Sequence, residues 1–572
     1  MKRTSLTKRV SAVLVAAMLT TTMLAGCGGS DTSSSGSSTA SSQADTQSQT
    51  ATSTATETTS TAQTAESAAE PEQQAENTKP YEGTKLTWWT KLNANVSSTY
   101  PNLGDTPWAK YVQEQTGIEI EFQHPTAGSE DEEFSILVAG GDYPDIIEYT
   151  WTKYPGGAGA AINDGVIISL DDLVASTATN FRQLLADHPD IDKMVKDSSG
   201  RYYCFPFLRG LESPNKTQFS NGLTYRADEL AALGMDVPET VDEWETFLRA
   251  MKEKGYEKPF ITRGEWMKDV WSPGFDNWGS FYVDNGVVKN GIIEPSRKEF
   301  IEKLASWYKE GLISSDWLSE DKNSNQTDFT TGKAAVVFAP FGQGLGTYTQ
   351  VMNEADPEIT EEDIQCAAPV TSTKGKNAKF SKMNNIYDQS GSSAAISSQS
   401  SNAEAAAWLL DWLYSEEGNL ACNFGIEGES YTMVNGEPVY TDVIMNNADG
   451  LSVASALAAY TRASTSGVCI QDPRYIEQYY AMDSQKKALE ECMKTDMGEH
   501  FFPPTSVSEA NQERYAEIMS NVNTLVSEEE AKFISGTKSM DEWDAYQEQL
   551  ERFGINDAIS MMQEAYDAYM AN

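Results

Sequence analysis

The sequence predicts an α/β fold, and three observations carry that prediction. Between residues 85 and 149, short β-type runs alternate with helical patterns of about ten residues, the order that builds strand–helix–strand units around a parallel sheet. The chain has 572 residues, enough for roughly two to four domain-sized units with cores of their own. Its C-terminal part reads as helix-rich, and no internal repeat is present.

Residues 85–90 (KLTWWT) form the first strand, which ends in a polar loop. Over 105–116, Trp108, Tyr111, Val112 and Gln115 recur at helical spacing, and Gly117 stops the helix. Residues 118–122 alternate as a second strand, 131–139 form a short helix ended by Gly140 and Gly141, and 145–149 (DIIEY) are a third strand. A turn at Gly200 leads into an aromatic strand up to Pro206. Residues 223–225 are a further strand feeding a helix over 227–233. Thr240 opens a helix through Lys254, with Glu243 placed for a capping box. Residues 297–310 are amphipathic, 331–338 (TGKAAVVF) read as a buried strand, and 403–414 as a helix with Trp408, Leu409, Trp412 and Leu413 on one face. Helices near 541–553 and 556–569 complete the chain.

The first 80 residues read as an address and a tether. Lys2, Arg3, Lys8 and Arg9 precede an apolar or small run over 10–25 (VSAVLVAAMLTTTMLA), too short for a comfortable membrane span and patterned as a signal peptide. Its end at Cys27 (LAGC) resembles the lipobox of bacterial lipoproteins, which implies a signal peptide over 1–27 and a lipid on the Cys27 thiol. The alternative is an incidental thiol in an ordinary secretory signal. Of residues 28–80, 24 of 53 are Ser or Thr, and none is Phe, Trp, Tyr, Ile, Leu, Val or Met. Such a segment has nothing to bury and is expected to stay disordered. As a flexible coil its ends would sit on the order of 40 Å apart. An interaction tail is the alternative.

Charge and composition exclude several classes. With 42 Lys and Arg against 85 Asp and Glu, the net charge is −43, which disfavours phosphate backbones and anionic membrane surfaces. Residues 81–572 alone hold 37 basic and 78 acidic groups, a net of −41, so the acidity belongs to the body. The three histidines, His124, His188 and His500, are far apart, which lowers the expectation of a hydrolase triad or zinc site. No GxSxG, HExxH, P-loop or EF-hand loop occurs. After Cys27 the cysteines are Cys204, Cys366, Cys422, Cys469 and Cys492, an odd number without a CxxC pair. They read as small buried residues with room for one bridge. The excess is aromatic: 13 Trp, 25 Tyr and 20 Phe.

Several short stretches resemble the family 1 extracellular solute-binding proteins of ABC importers. They are 141–146 (GDYPDI), 200–207 (GRYYCFPF), 225–244 (YRADELAALGMDVPETVDEW) and 328–335 (DFTTGKAA). Residues 412–418 (WLYSEEG), 425–431 (GIEGESY), 541–543 (DEW) and 563–567 (QEAYD) are similar to the LplA-like group of Firmicutes lipoproteins. Each stretch is weakly specific, whereas their order over the body is strongly so. The resemblance implies a two-lobed periplasmic-binding-protein-like fold of the class II type. Its discontinuous lobes, joined by hinge crossovers, are placed at 81–208 plus 370–425 and at 209–369 plus 426–572. It further implies a lipid-anchored, non-enzymatic, monomeric protein without cofactor or metal. That protein would capture a carbohydrate, expected to be an oligosaccharide, and deliver it to permease subunits.

A pyranose offers an apolar face to aromatic rings and a hydroxyl rim to polar side chains. Contacts are expected on loops at the carboxyl ends of strands. Of Trp88 and Trp89, alternation sends one inward, and Trp89 with Lys91 is expected at the cleft. The third strand brings Tyr149, Trp151 and Lys153, for which a packed loop anchor is the alternative. Trp266, Trp271, Asp276, Asn277 and Trp278 lie in a tryptophan-rich loop with Pro and Gly. Phe341 and Gln343 follow the buried strand, at a place where family members often carry tryptophan. Arg209 and Tyr387 stand near the lobe crossings. The competing functions are binding of a peptide or other small polar solute, a secreted carbohydrate-active hydrolase with paired carboxylates, and a structural lipoprotein or adhesin.

Overall fold

The computed structural model describes residues 79–387 and 393–571, within a compact unit spanning Asn77–Asn572. The expected signal peptide, Cys27 and all but the last two residues of the tether lie outside the described residues. In chain order the strands are β1 (Lys85–Trp89), β2 (Glu119–Gln123), β3 (Ile146–Tyr149), β4 (Phe205–Leu208), β5 (Asn221–Arg226), β6 (Phe260–Ile261), β7 (Phe281–Asp284), β8 (Val287–Asn290), β9 (Val336–Pro340), β10 (Ile364–Ala367), β11 (Ser393–Ile396), β12 (Tyr431–Val434), β13 (Glu437–Tyr440) and β14 (Cys469–Ile470).

Two sheets organise the body. One has six strands in the order β14-β4-β11-β3-β1-β2, and the other four in the order β10-β5-β9-β6. Neither is purely parallel. β11 runs antiparallel to both β3 and β4, and β5 antiparallel to both β9 and β10. The parallel pairing expected over 85–149 is found in β1, β2 and β3, and the antiparallel strands lie in later segments that the pattern over 85–149 does not cover. Helices cover the sheet faces, so β3, β4, β10 and β11 are buried along their whole length.

The chain passes between the sheets after β4 and after β10, then joins the core of the four-stranded half from Phe424, returns to the first core before β14 and leaves it again after β14. Val370, Phe380 and Met383 still pack in cores of the four-stranded half, and the first core resumes at Ile386. Cys469 and Ile470, placed with the second lobe by the sequence division, pair in parallel with Phe207 and Leu208 of β4. Ala458, Ala463 and Val468 join the same core. A two-residue edge strand carries too little pattern to announce its sheet.

Local chemistry sets the element ends. Thr106 caps helix Pro107–Thr116 by accepting the Ala109 N–H at 3.2 Å, and Gly117 closes it at φ 72°, a left-handed geometry that glycine adopts without strain. Thr240 and Glu243 form the expected capping box on helix Val241–Lys254. The hydrogen bond from Lys374, then the backbone bonds of the box, hold the Glu243 carboxyl down at about 2 against desolvation. Two hairpins, β7–β8 and β12–β13, turn through Asn285-Gly286 and Asn435-Gly436 with positive φ at all four residues, the signature of type I′ turns. Five cysteines, Cys204, Cys366, Cys422, Cys469 and Cys492, are buried free thiols. Among the described residues no helix is long and apolar enough to cross a membrane. Among them, too, no group of three or more His, Cys, Asp or Glu side chains could hold a metal ion.

Candidate ligand-binding cleft

Two adjoining concavities, sharing Pro504 and Thr505, form a cleft between the two halves. The larger holds about 1520 Å³ of space open to solvent. One wall comes from segments between β3 and β4, including Thr152, Asp192, Lys193, Lys196 and Tyr203. The opposite wall comes from residues 504–512 and from Glu564 and Tyr569 on the last helix, whose first turns pack in the core of the four-stranded half through Ile555 and Ala558. This end is polar. Lys196 pairs with Asp192 at 2.6 Å, and the Lys193 ammonium lies 6.0 Å from the Tyr569 ring.

The second concavity, of about 830 Å³, is aromatic and apolar: Trp278, Phe281, Phe501, Phe502 and Tyr387 line it together with Met383, Met497 and Met562. The first four rings are only half-buried. Phe281 packs on Phe502 with centroids 6.1 Å apart, and Trp278 stacks on Phe380 at 6.2 Å. Tyr387 is buried, its hydroxyl 2.7 Å from that of Tyr203 and 3.0 Å from Ser393 Oγ. Burial pushes both phenols well above their ordinary range, so they serve as neutral hydrogen-bonding groups.

Trp278 is held from behind. Asp276, exposed, takes φ 48° at the end of the preceding turn. Asn277 is fully buried and donates to Gly291 O at 2.9 Å and to Ser296 Oγ at 3.1 Å, while accepting from Arg297 Nη1 at 3.2 Å. Arg297 forms a two-pronged pair with Glu530 at 2.9 and 2.8 Å, and Lys268 adds a third contact at 2.9 Å. Desolvation raises the Glu530 carboxyl, but Arg297 and Lys268 outweigh it and hold it at about 2. Gly291 allows the close approach, since a Cβ there would meet Trp278 O at 2.0 Å.

The sequence candidates therefore separate. Trp278 and Tyr387 meet in the aromatic concavity, and Trp266 and Gln343 line a smaller cavity in the four-stranded half. Arg209 is half-buried, with its guanidinium 5.2 Å from the Phe207 ring and its backbone N–H donating to Ile386 O at 2.8 Å. Others are packed shut. Trp89, expected at a cleft, is 7% exposed against Phe134 and Tyr149, because helices cover both faces of β1 and Trp88 is buried as well. Tyr149 stacks on Phe134 at 3.6 Å and donates to Asp131 Oδ1 at 3.0 Å. Trp151 is 2% exposed and donates its indole N–H to Ser393 O at 3.0 Å. Lys153 and Lys91 are exposed and engaged, with Asp131 at 2.7 Å and Glu130 at 2.9 Å. The Lys153 bond holds the Asp131 carboxyl below its ordinary range. Trp271 sits in the core among Trp244, Phe260 and Trp307, and Phe341 is buried against Tyr480. Trp151, Trp271, Asn277 and Phe341 present no open face to a ligand in this arrangement.

Sequence reasoning missed Phe281, Phe501, Phe502 and the polar group of Asp192, Lys193 and Lys196. Two signals existed. Asn285-Gly286 marks the hairpin that carries Phe281, and residues 501–504 (FFPP) join two rings to two prolines, a combination poorly suited to a core helix.

Residues 93–420, more than half of the chain, match the family described as bacterial extracellular solute-binding protein. The chain belongs to that family. It is thus an extracellular, non-catalytic transport component. The fructooligosaccharide ABC transporter substrate-binding protein FusA of Streptococcus pneumoniae is 22% identical over 502 residues, covering 81% of this chain and 86% of FusA. Lipoprotein LipO of Bacillus subtilis is 24% identical over 444 residues, covering 73% and 79%. Among solved structures, S. pneumoniae FusA in complex with kestose superposes with a TM-score of 0.69 at 18% identity, covering 86% of this chain and 100% of that one. The alginate-binding protein AlgQ2 without calcium ion gives 0.67 at 22%, covering 86% and 99%. At these identities the structures establish the two-sheet α/β binding-protein fold.

Proposed function

We propose that this solute-binding protein captures an oligosaccharide in the cleft between its halves and passes it to the permease of an ABC importer. The observation that carries the reading is the juxtaposition of a half-open aromatic wall with a polar, charged end in one cleft. Rings such as Trp278, Phe281, Phe501 and Phe502 suit the C–H faces of successive sugars, and Asp192, Lys193, Lys196 and Tyr203 suit their hydroxyls. Two relatives support the ligand class by name: FusA for fructooligosaccharides, and MelE of Bacillus subtilis for melibiose, raffinose and stachyose. The two halves act as lobes, with the crossings near Arg209 and Tyr387 as hinge. Closure on the ligand creates the form the permease recognises.

The N-terminus completes the reading. Cys27 carries the lipid, residues 28–80 are the tether, and the body stands off the outer face of the membrane. The name of LipO is consistent with this. Replacing Cys27 with alanine should release the protein into the medium of a Gram-positive host and abolish palmitate labelling.

The cleft is tested by titrating the mature protein with fructo- and galacto-oligosaccharides in a calorimeter and a thermal melt. A ligand at a hundredfold excess over Kd should stabilise by about 2.7 kcal/mol and be recovered intact. If peptides shift the midpoint and no saccharide does, the carbohydrate reading fails; release of reducing ends would refute pure binding.

A further inference from the structure

Four of the five described cysteines stand in two pairs whose members are far apart in sequence. Cys366 lies on β10 and Cys492 ends helix Asp483–Cys492, while Cys422 lies in helix Glu416–Asn423 and Cys469 opens β14. All four are buried. The family is extracellular, and outside the cell thiols are not kept reduced.

Cys366 and Cys492 converge on one glycine. A Cβ added to Gly222 of β5 would sit 2.3 Å from Cys366 Sγ and 2.9 Å from Cys492 Sγ, so the two sulfurs are no farther apart than the sum of those distances. Both thiols also reach one acceptor: Cys366 Sγ donates to Ala367 O at 3.5 Å and Cys492 Sγ at 3.9 Å. Burial, then a hydrogen bond with Cys492, pushes the Cys366 thiol well above its ordinary range. β10 is an edge strand of the four-stranded sheet, and Ala488, Leu489 and Cys492 of the helix share a core with Ile364 and Cys366. A bond here would fasten that helix to the edge strand.

The second pair stands at the two ends of a detour of the chain. After Cys422 the chain enters a core of the four-stranded half, to which Phe424, Tyr431, Tyr440 and Ile444 belong, and it is back in the first core at Val468 and Cys469. Helix Glu416–Asn423 holds β14 through two asparagines. Asn419 Oδ1 accepts the Ile470 N–H at 3.2 Å, and Asn423 donates to Ile470 O and accepts the Asp472 N–H, both at 2.8 Å. Beside this clamp, Cys422 Sγ donates to Val468 O, the carbonyl that precedes Cys469, at 3.9 Å. Burial, then a hydrogen bond with Cys422, pushes the Cys469 thiol up as well. Cys204 differs. Burial pushes it up to about 12, and its partners are the hydroxyls of Tyr387, Ser393 and Tyr203.

We propose that Cys366 with Cys492, and Cys422 with Cys469, are joined as disulfides in the exported protein, with Cys204 left as a thiol. In each pair one thiolate attacks an external disulfide, that of a thiol–disulfide oxidoreductase or of a small oxidised thiol. The partner thiolate then displaces it from the mixed disulfide. Two cysteine thiols are oxidised to one disulfide, and the external disulfide takes up the two electrons and two protons to become two thiols. The raised thiols of the folded protein are poor nucleophiles, so the exchange takes place as the chain folds.

The test is a map of the thiols. The chain carrying Cys27→Ala is collected from the medium or the cell surface under an alkylating agent, denatured without reductant and digested for mass spectrometry. Cys204 alone should be alkylated, and all five cysteines after reduction. Without reduction, the peptide of Cys366 should be linked to that of Cys492, and the peptide of Cys422 to that of Cys469. Refolding the reduced chain with oxidised glutathione should restore both links. Reductant should lower the melting midpoint of the exported protein by about 5 °C or more. Alkylation of all five cysteines without reduction overturns the proposal, as does any other pairing. One link found while the other pair is alkylated upholds the first bridge and overturns the second.

Discussion

Two aromatic clusters sit in this protein, and they behave in opposite ways. At the carboxyl ends of β1 and β3 in the six-stranded sheet, Trp89, Phe134, Tyr149 and Trp151 satisfy one another edge-to-face and by stacking, and all four are buried. In the cleft, Trp278, Phe281 and Phe502 also touch neighbouring rings, yet these three and Phe501 each keep part of their surface open. The closed cluster is held by its own rings. The open wall is held from beneath by a polar network running from Asn277 through Arg297 to Glu530. Ring content alone therefore does not mark a binding surface; what positions the rings does.

The sharpest way to break this contrast is to cut the network under the open wall. Arg297→Met leaves the buried Glu530 with only Lys268 and the Tyr546 hydroxyl as partners and should cost about 3–5 kcal/mol in urea unfolding, with weakened ligand binding in whatever remains folded. Trp151→Ala opens the closed cluster and should cost about 3 kcal/mol of stability while ligand affinity in the folded fraction stays unchanged. An affinity loss without a stability loss would instead make Trp151 a ligand contact. Trp278→Ala should do the reverse, weakening binding by roughly tenfold, about 1.4 kcal/mol, with the unliganded melting midpoint hardly moved.

Acid separates the two clusters without mutation. The folded Glu530 carboxyl titrates near 2, below its ordinary value of 4.5, so its contribution is full above about 4.5 and is lost as pH falls toward 2. Unfolding midpoints measured across that window should fall less in Arg297→Met than in the wild type. The smallest effect belongs to the rim of the closed cluster. Lys153→Met removes an exposed pair with Asp131 and should change stability by no more than about 1 kcal/mol. A large loss of ligand affinity there would return Lys153 to the binding site.

Helices and caps were legible in the sequence because their causes are local. Thr106, Gly117 and the Thr240–Glu243 box act within a few residues, and the observed ends at Pro107–Thr116 and Val241–Lys254 follow them. The two-lobed architecture was legible through the order of short motifs. The candidate site was less so. Trp278 and Tyr387 meet in the cleft, but Trp271 and Phe341 obey the same composition rules and are buried in the cores.

By itself the sequence determined that this is an α/β body preceded by a Ser/Thr-rich polar stretch, rich in rings and acids, and in which stretches many of its strands and helices form. Only the tertiary structure decided which sheet each late strand joins and which rings stay open. Trp151 is closed off by Ser393, 242 residues away, and the Trp278 loop is anchored through Arg297 by Glu530, 233 residues beyond that arginine. Hydrophobic periodicity reports whether a face is buried and is silent about what buries it. That partner is supplied by segments brought together only on folding, so the opening of a ring toward a ligand is a property of the assembled fold.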